Sequence, residues 1–197
     1  MIGVIDYGAG NVGSVLRAVE YLGFPACAIA DAQELAETSR IILPGQGHFG
    51  SMMASLQKKE MIDPLRSQMD SGKPFLGICL GLQALYEASD EAPDVAGFGL
   101  LPGRVKRFEG IFKIPHLGWN QLEIRRQEGL FQGVPNGSFA YFCHSYYGPV
   151  TAETTAVTEY GQSFAAAVEM GSVAAVQFHP EKSGDVGLQV LENFLKG

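Results

Sequence analysis

The chain has 197 residues, of which 14 are basic and 21 acidic, so its formal net charge at pH 7 is −7. With 46% hydrophobic and 18% charged residues, the composition is that of a globular protein and excludes a disordered chain. The acidic balance argues against nucleic-acid binding, which requires clustered lysine and arginine side chains. No apolar stretch approaches the roughly 18 residues of a membrane span. The first residues lack the features of a signal peptide. The three cysteines do not indicate a disulfide framework. We therefore expect a single cytoplasmic domain over residues 1–197.

The first 90 residues alternate between short apolar runs and segments with helical spacing. Strands are predicted at residues 2–6, 25–30, 40–43 and 74–78. Helices are predicted at residues 12–22, ended by Gly23, from the loop after residue 47 to about 69, and at 80–88, with a weak helix at 32–38. This alternation predicts an α/β fold with a parallel sheet and helices on both faces.

The second half of the chain has a different pattern. Short runs rich in Val, Phe and Tyr, broken by Gly and Pro, predict antiparallel strands at residues 103–108, 119–124, 139–143, 164–168 and 173–178. These strands either extend the first sheet or form a small sheet beside it. A last helix, with Leu188, Leu191, Phe194 and Leu195 on one face, ends the chain.

Cys79 lies between a predicted strand and a predicted helix, in the sequence Gly77-Ile78-Cys79-Leu80-Gly81. This is the cysteine version of the G-x-S-x-G nucleophile elbow, in which the glycines permit a sharp turn. The N-terminus of the following helix favours a thiolate, and the N–H of Leu80 is suitably placed for an oxyanion. The alternative is a buried cysteine packed at the end of a strand.

A thiol nucleophile needs a base, and His179 has the most informative surroundings of the four histidines. Pro180 favours an extended backbone at His179, and residues i and i+2 of an extended segment lie on the same side. The Glu181 carboxylate is therefore predicted beside the imidazole ring, where it would orient the base. The alternative is a surface turn. The remaining histidines, which lack a nearby acidic residue, are predicted to be loop or packing residues: His48, His116 and His144.

The loop Pro44-Gly45-Gln46-Gly47 follows a predicted strand and brings backbone N–H groups toward the same sheet edge. It is a candidate source of a second oxyanion N–H. It is not a phosphate-binding loop, because G-x-x-x-x-G-K-[ST] is absent, and no G-x-G-x-x-G motif indicates a dinucleotide site.

These motifs together resemble class I (triad) glutamine amidotransferases. The resemblance rests on the cysteine elbow with Gln83 and on Phe178-His179-Pro180-Glu181. Four further motifs resemble the family of glutaminase subunits of imidazole glycerol phosphate synthase: residues 6–11, Pro115-His116-Leu117-Gly118-Trp119-Asn120, residues 144–147 and residues 179–183. The likeness extends from residue 2 to residue 196 and implies a three-layer fold with a mostly parallel central sheet and antiparallel strands in its second half.

The resemblance also implies the roles of the site residues. Cys79 is the nucleophile that attacks the glutamine side-chain amide, His179 is its base, and Glu181 orients His179. Glutamine is held by four residues, Gly45, Gln83, Ser145 and Tyr146. The oxyanion is bound by the N–H of Leu80 together with that of Gln46 or Gly47. The family commonly has Val where this chain has Gln46, so the choice between the N–H of Gln46 and that of Gly47 stays open.

The same resemblance implies a (β/α)₈-barrel cyclase partner in histidine biosynthesis that consumes the ammonia, and implies neither a metal nor a cofactor. Four residues lie in the motifs that face the partner: Asn11, Trp119, Tyr141 and Lys182. Strand packing for Trp119 and a solvated charge for Lys182 are the alternatives. Three other functions stay open: an amidotransferase subunit for another acceptor such as a sugar, a stand-alone cysteine hydrolase, and a non-catalytic α/β module.

Overall fold

The computed structural model describes residues 1–197 and contains fourteen strands and five helices. The strands are β1 Ile2–Ile5, β2 Ala26–Ile29, β3 Arg40–Gly45, β4 Phe75–Cys79, β5 Tyr86–Ser89, β6 Ala92–Ala96, β7 Leu101–Arg107, β8 His116–Gln121, β9 Glu123–Ile124, β10 Phe139–His144, β11 Tyr146–Tyr147, β12 Thr154–Glu159, β13 Ser163–Met170 and β14 Val173–Val176. The helices are α1 Val12–Tyr21, α2 Phe49–Lys58, α3 Ile62–Asp70, α4 Leu80–Gln83 and α5 Gly184–Lys196. Short 3₁₀ segments form at Ala32–Glu37, Gly129–Phe131 and Pro180–Lys182.

The central sheet has eight strands in the order β2-β1-β3-β4-β14-β13-β12-β9. The first five strands run parallel to one another, and the remaining pairings are antiparallel. The predicted change from a parallel to an antiparallel half is therefore confirmed. Strand β14 joins the halves, because it is parallel to β4 and antiparallel to β13. It places residues 177–181 beside the end of β4, where Cys79 lies.

Two smaller sheets accompany the central one. Strands β8 and β10 form an antiparallel ribbon, and a four-stranded sheet has the order β11-β7-β5-β6. The short strands of the second half therefore do both things that the sequence left open: some extend the first sheet, and others form sheets beside it.

Each face of the central sheet is covered by its own hydrophobic cluster. Alternate residues of β3 point to opposite faces, so Ile42 belongs to one cluster while Ile41 and Leu43 belong to the other. Helices α1 and α5 cover the first face, and α2 and α3 cover the second. The predicted arrangement of helices on both faces of an α/β sheet is confirmed.

The predicted helix at residues 80–88 is wrong. Helix α4 ends at Gln83, and Tyr86 begins strand β5. The carbonyl oxygens of Ala84 and Tyr86 accept hydrogen bonds from the N–H groups of Phe98 (2.7 Å) and Gly99 (3.2 Å). Those acceptors are thus used by a segment more than ten residues away, and a helical period in the local sequence cannot reveal that pairing.

Three smaller differences have local causes. The helix predicted up to about residue 69 is interrupted at Glu60, whose φ is +54°, so that α2 and α3 are separate. Residues 32–37 form a 3₁₀ segment rather than an α-helix. Strands β6 and β12 were not predicted, since no clear alternation marks them. The longest helix, α5, has 13 residues, and none of the helices has the length and apolarity that crossing a membrane requires.

Candidate active site

Cys79 occupies the sharp corner between β4 and α4. Its backbone has φ +55° and ψ −104°, a conformation that non-glycine residues rarely adopt. The side chain is buried, and only 6% of the residue is exposed. Strained residues of this kind persist where the surrounding structure holds them in place, and they concentrate at functional sites. The corner therefore has the geometry of the nucleophile elbow that the glycine spacing predicts.

The glycines around the elbow allow α4 to pack directly on the ends of β3 and β4. A Cβ atom on Gly81 would lie 2.1 Å from the carbonyl oxygen of Leu43, and one on Gly77 would lie 2.7 Å from Gly81. A Cβ on Gly45 would lie 2.5 Å from the side chain of Leu80. These distances are well below van der Waals contact, so only glycine fits at all three positions.

His179 and Glu181 lie together at the end of the adjacent strand. The ring Nδ1 of His179 is 2.9 Å from Oε1 of Glu181, and both side chains are almost completely buried. The backbone of His179 is extended, as predicted, but Pro180–Lys182 form a 3₁₀ turn rather than an extended segment. The turn still directs the carboxylate back to the ring. The same Oε1 accepts a 2.8 Å hydrogen bond from Nδ2 of Asn11.

The two charged groups of this pair stabilise each other. Burial by itself would lower the pKa of His179, but hydrogen bonds to Cys79 and Glu181 and their negative charges raise it above its ordinary value. Burial would raise the pKa of Glu181, but the hydrogen bond and charge of His179, together with the Asn11 amide, lower it. Because Nδ1 faces Glu181, Nε2 is the ring nitrogen left for proton exchange with Cys79. His179 is thus held in the orientation that proton transfer with the thiol requires.

A cavity of about 250 Å³ opens at Cys79 and His179. The predicted site residues that line it, besides these two, are Gln46, Gly47, Leu80, Gln83, Ser145, Tyr146 and Lys182. Gly45 does not line the cavity and instead pairs with Cys79 in the sheet. The structure therefore brings the Cys79 elbow, the His179 motif, the glycine loop and residues 145–146 to one edge of the sheet. Open α/β sheets bind ligands at this edge.

The glycine loop offers two N–H groups with different surroundings. The N–H of Gln46 donates a 3.2 Å hydrogen bond to the hydroxyl of Tyr7. Gly47 has φ +99°, which favours glycine, and its N–H donates to no other group of the chain. Of the two, the Gly47 N–H is the one that is free to bind a ligand oxygen.

The residues predicted to hold glutamine form their own hydrogen bonds. Nε2 of Gln83 donates to the carbonyl oxygen of Tyr146 (2.8 Å) and to Oε1 of Gln177 (3.1 Å). Both amide hydrogens of Gln83 are thus used, and its Oε1 is left as an acceptor. The carbonyl of Ser145 accepts from the N–H of Phe108, whereas the N–H of Ser145 donates to no group of the chain.

His116 and His144 form a buried pair, of which His144 lines the cavity. Nδ2 of Asn120 lies 3.2 Å from Nε2 of His116, whose Nδ1 lies 3.2 Å from Nε2 of His144. Nδ1 of His144 lies 2.8 Å from the carbonyl oxygen of Tyr146. The NH₂ group of Asn120, which also donates to the carbonyl oxygen of Glu159, can only donate, and the carbonyl oxygen of Tyr146 can only accept, which assigns one proton to each ring. Burial lowers the pKa of His116 to about 4 and that of His144 to about 3, so both are neutral at pH 7.

We expect His144 to make the fold acid-sensitive. Its folded pKa is below the unfolded value near 6.5, so its contribution is complete above pH 6.5 and is lost as the pH falls toward 3. Between pH 7.5 and pH 5, the free energy of unfolding should fall by roughly 2 kcal/mol more in the wild type than in His144→Gln. Urea unfolding at both pH values measures this difference. An identical pH dependence in the two proteins would contradict a buried neutral His144.

The four residues predicted to face a partner lie in different environments. Trp119 on β8 and Tyr141 on β10 are directly paired across the ribbon, with their rings in an edge-to-face contact at 6.1 Å. Trp119 is 56% exposed, which argues against simple strand packing. Lys182 is exposed and lines the cavity. Asn11, by contrast, is bound to Glu181 and supports the catalytic pair.

Leu117 and Phe139 lie on the same outer face of the ribbon as Trp119 and Tyr141, and both are about half exposed. We call these four side chains the apolar ribbon face. An exposed apolar patch beside a polar cavity is typical of a protein–protein contact.

Gln177 was not predicted as a site residue, yet it lies between strand β14 and His179 and contacts the sulfur of Cys79. A signal was available: a polar residue interrupts the apolar run of β14 two positions before His179, on the same side of the chain. Cys143, which lies on β10, is exposed. Its carbonyl oxygen, rather than its thiol, faces Cys79.

The comparisons with known proteins agree with the fold. Residues 3–197 match the family model described as glutamine amidotransferase class-I. The chain therefore belongs to the class I glutamine amidotransferase family. Within it, the chain is 47% identical to a Moorella thermoacetica protein named imidazole glycerol phosphate synthase subunit HisH, with 98% of this chain and 93% of that one covered. A Desulfitobacterium hafniense protein of the same name is 48% identical, with 100% and 94% covered.

Solved structures resemble the chain in fold. A structure described as that of a glutamine amidotransferase superposes with a TM-score of 0.77 at 20% identity, covering 99% of this chain and 97% of that one. The structure of PurLQS from Thermotoga maritima gives a TM-score of 0.75, also at 20% identity and with the same coverage. The class I amidotransferase fold that the motifs imply is thereby confirmed.

Proposed function

We propose that the chain is the glutaminase subunit of an imidazole glycerol phosphate synthase, and that it hydrolyses L-glutamine to glutamate and ammonia in histidine biosynthesis. The observation that carries the proposal is the triad itself: Cys79 on a strained elbow, lining the same cavity as a buried His179 that is oriented by Glu181. The three free cysteines include the nucleophile, so we assign the reaction to the reducing cytoplasm.

In the first half of the reaction, the Cys79 sulfur attacks the carbonyl carbon of the glutamine side-chain amide. A C–S bond forms and the C–N bond breaks, while His179 transfers the thiol proton to the leaving nitrogen and ammonia departs. In the second half, His179 removes a proton from water, a C–O bond forms, and the C–S bond of the glutamyl thioester breaks. The sulfur recovers its proton, and the sum is glutamine plus water giving glutamate plus ammonia.

Backbone N–H groups stabilise the tetrahedral intermediates in this proposal. The N–H of Leu80 lies at the first turn of α4, directly after the nucleophile. The free N–H of Gly47 is the better second donor, because that of Gln46 is bound to Tyr7. Two donors aimed at the developing charge contribute several kcal/mol to catalysis, since removal of one costs about 10²-fold or more.

The α-ammonium and α-carboxylate groups of glutamine are held by an acceptor and a donor, respectively. Oε1 of Gln83, the one atom of that amide without an internal partner, accepts from the ammonium group. The free N–H of Ser145 donates to the carboxylate, next to Tyr146. Gly45 contributes indirectly, since its lack of a side chain brings the loop against the elbow.

We assign the apolar ribbon face and Lys182 to the contact with a (β/α)₈-barrel cyclase subunit. That subunit uses the ammonia to make imidazole glycerol phosphate and aminoimidazole carboxamide ribotide. Ammonia released into solvent is diluted and protonated, so docking at the cavity mouth would retain it. Lys182 directly follows the catalytic carboxylate, and a partner carboxylate that pairs with it would couple docking to the triad.

A subunit that serves another acceptor, such as a sugar, uses the same chemistry but is not favoured. The relatives that match almost the whole chain at 43–48% identity are named imidazole glycerol phosphate synthase subunits. The motif Pro115–Asn120, which builds the ribbon and the histidine pair, fits the same assignment.

Glutamate release tests the proposed function in three conditions: the chain alone, the chain with the cyclase subunit, and the chain with that subunit and its ribonucleotide ligand. We expect feeble hydrolysis by the chain alone and an acceleration well above tenfold in the third condition, which corresponds to more than ~1.4 kcal/mol of barrier. Equal rates in all three conditions would leave a free-standing glutaminase and contradict the gated subunit. No glutamate in any of them would contradict the glutaminase itself.

A further inference from the structure

Gln177 is a completely buried amide at the end of β14, with 0% of the residue exposed. Burying an amide is costly unless its polar atoms are hydrogen-bonded. Both side-chain atoms of Gln177 have partners: Oε1 accepts from Nε2 of Gln83 at 3.1 Å, and Nε2 donates to Sγ of Cys79 at 3.6 Å. The second distance is that of an ordinary hydrogen bond to sulfur. A buried side chain is therefore aimed at the reacting atom.

The orientation of this amide is determined by its neighbours. The carbonyl oxygen of Tyr146 can only accept, so Gln83 must present its NH₂ group there, at 2.8 Å. The second hydrogen of that NH₂ group points to Gln177, which must present its oxygen. The NH₂ group of Gln177 then faces the sulfur. Turning the amide over would place two NH₂ groups against each other and an oxygen against Sγ.

The anchor of this chain of bonds is itself fixed. The carbonyl of Tyr146 also accepts from Nδ1 of His144, so both of its lone pairs are used. We call the series of Tyr146 carbonyl, Gln83, Gln177 and Cys79 sulfur the amide relay. It links the backbone that lines the glutamine cavity to the nucleophile through two buried side chains.

We propose that Gln177 is a positioning residue for catalysis, which holds the Cys79 sulfur in its attacking orientation and stabilises its negative charge. The proposal rests on the proposed glutaminase function. A hydrogen bond to a charged acceptor is stronger than one to a neutral acceptor, so the N–H···S contact favours the thiolate over the neutral thiol. Gln177 does not line the cavity, and it therefore acts on the rate of the chemical steps rather than on glutamine affinity.

The first test is the pH dependence of Cys79 alkylation by iodoacetamide, which requires neither glutamine nor a partner. Peptide-resolved mass spectrometry separates Cys79 from Cys27 and Cys143. In Gln177→Met, which keeps the length but removes the donor, the pH midpoint of alkylation should rise by about one unit, which corresponds to a roughly tenfold slower alkylation at pH values below the midpoint. Gln177→Asn, whose amide is one carbon too short to reach the sulfur, should give the same direction of change.

The second readout is the kinetics of glutamate release. Both Gln177 variants should lower kcat by ~10-fold or more, with KM within about twofold of the wild type. The matched control is Asn193→Leu, which removes another well-bonded amide: Nδ2 of Asn193 donates to the carbonyls of Leu130 and Gln132. Asn193 lies with Pro74 at the opposite end of the sheet. Its loss destabilises the fold but should leave the alkylation midpoint unchanged.

The outcomes distinguish a failure of the proposed role of Gln177 from a failure of the proposed glutaminase function. An unchanged alkylation midpoint in both Gln177 variants, or an equal shift in Asn193→Leu, would overturn the role of Gln177. A changed KM with an unchanged kcat would do the same. A wild-type protein that releases no glutamate would contradict the glutaminase, while the alkylation profile would still decide whether Gln177 acts on the sulfur.

Discussion

Replacing Cys79 with alanine should abolish glutamine hydrolysis, with a loss of at least ~10⁴-fold in kcat, while the protein stays folded. The sulfur atom is the group that forms the thioester, and the other cysteine at the cavity, Cys143, faces Cys79 with its carbonyl oxygen. Only one atom is lost, and the strained backbone at φ +55° is equally accessible to alanine. The free energy of unfolding should therefore change by only about 1 kcal/mol. Glutamate release and urea unfolding measure the two effects.

The matched control for this variant is Cys143→Ala. Cys143 faces Cys79 through its carbonyl oxygen, whereas its side chain is exposed on β10. Its removal should leave glutamate release near the wild-type rate. In a complex with the cyclase subunit, added ammonium should still support product formation by Cys79→Ala, because only the ammonia supply is lost. Near-normal glutaminase activity in Cys79→Ala would show that the nucleophile is misassigned.

His179→Ala should be comparably damaging, since members of a triad act as a unit and the loss of either partner disables the same proton transfer. This variant should also be less stable than Cys79→Ala. The side chain of Glu181 is completely buried, and without the imidazole its carboxylate keeps only the Asn11 amide as a partner. Removal of one partner from a buried pair leaves an uncompensated charge. Glutamate release and the midpoint of urea unfolding, measured for both variants, check this order.

Glu181→Gln serves as the graded control for the same pair. The amide oxygen that replaces Oε1 can still accept from Nδ1 of His179 and from Asn11, so the ring keeps its orientation but loses the facing charge. We expect a smaller loss than in His179→Ala. A Glu181→Gln variant as inactive as His179→Ala would mean that the charge, rather than the orientation, is the main contribution of Glu181. Wild-type activity in His179→Ala would exclude the imidazole as the base.

The parts of the site that the sequence predicts are those determined over a few residues. The elbow follows from Gly77 and Gly81, because their missing side chains permit both the turn and the close packing of α4. The contact between His179 and Glu181 follows from a spacing of two positions, although a 3₁₀ turn rather than an extended backbone produces it. Such features need no knowledge of distant parts of the chain.

The parts that could not be predicted depend on long-range pairing. Residues 84–88 have a helical pattern but pair with residues 97–105. Asn11 was assigned to a partner surface, yet it donates to Glu181, 170 positions further along the chain. The contact of Gln177 with Cys79 spans 98 positions. In each case the sheet order brings the two segments together, and no local period encodes that order.

The most direct measurement is peptide-resolved mass spectrometry after treatment with a glutamine-like electrophile. We expect one adduct per chain, on Cys79, with glutamine protecting against it and with no adduct in His179→Ala at the same exposure. Cys27, half-buried in β2, and the exposed Cys143 should stay unmodified. Preferential modification of either of these two cysteines, or continued glutamate release while Cys79 is fully modified, would contradict a glutaminase triad at the β4 elbow.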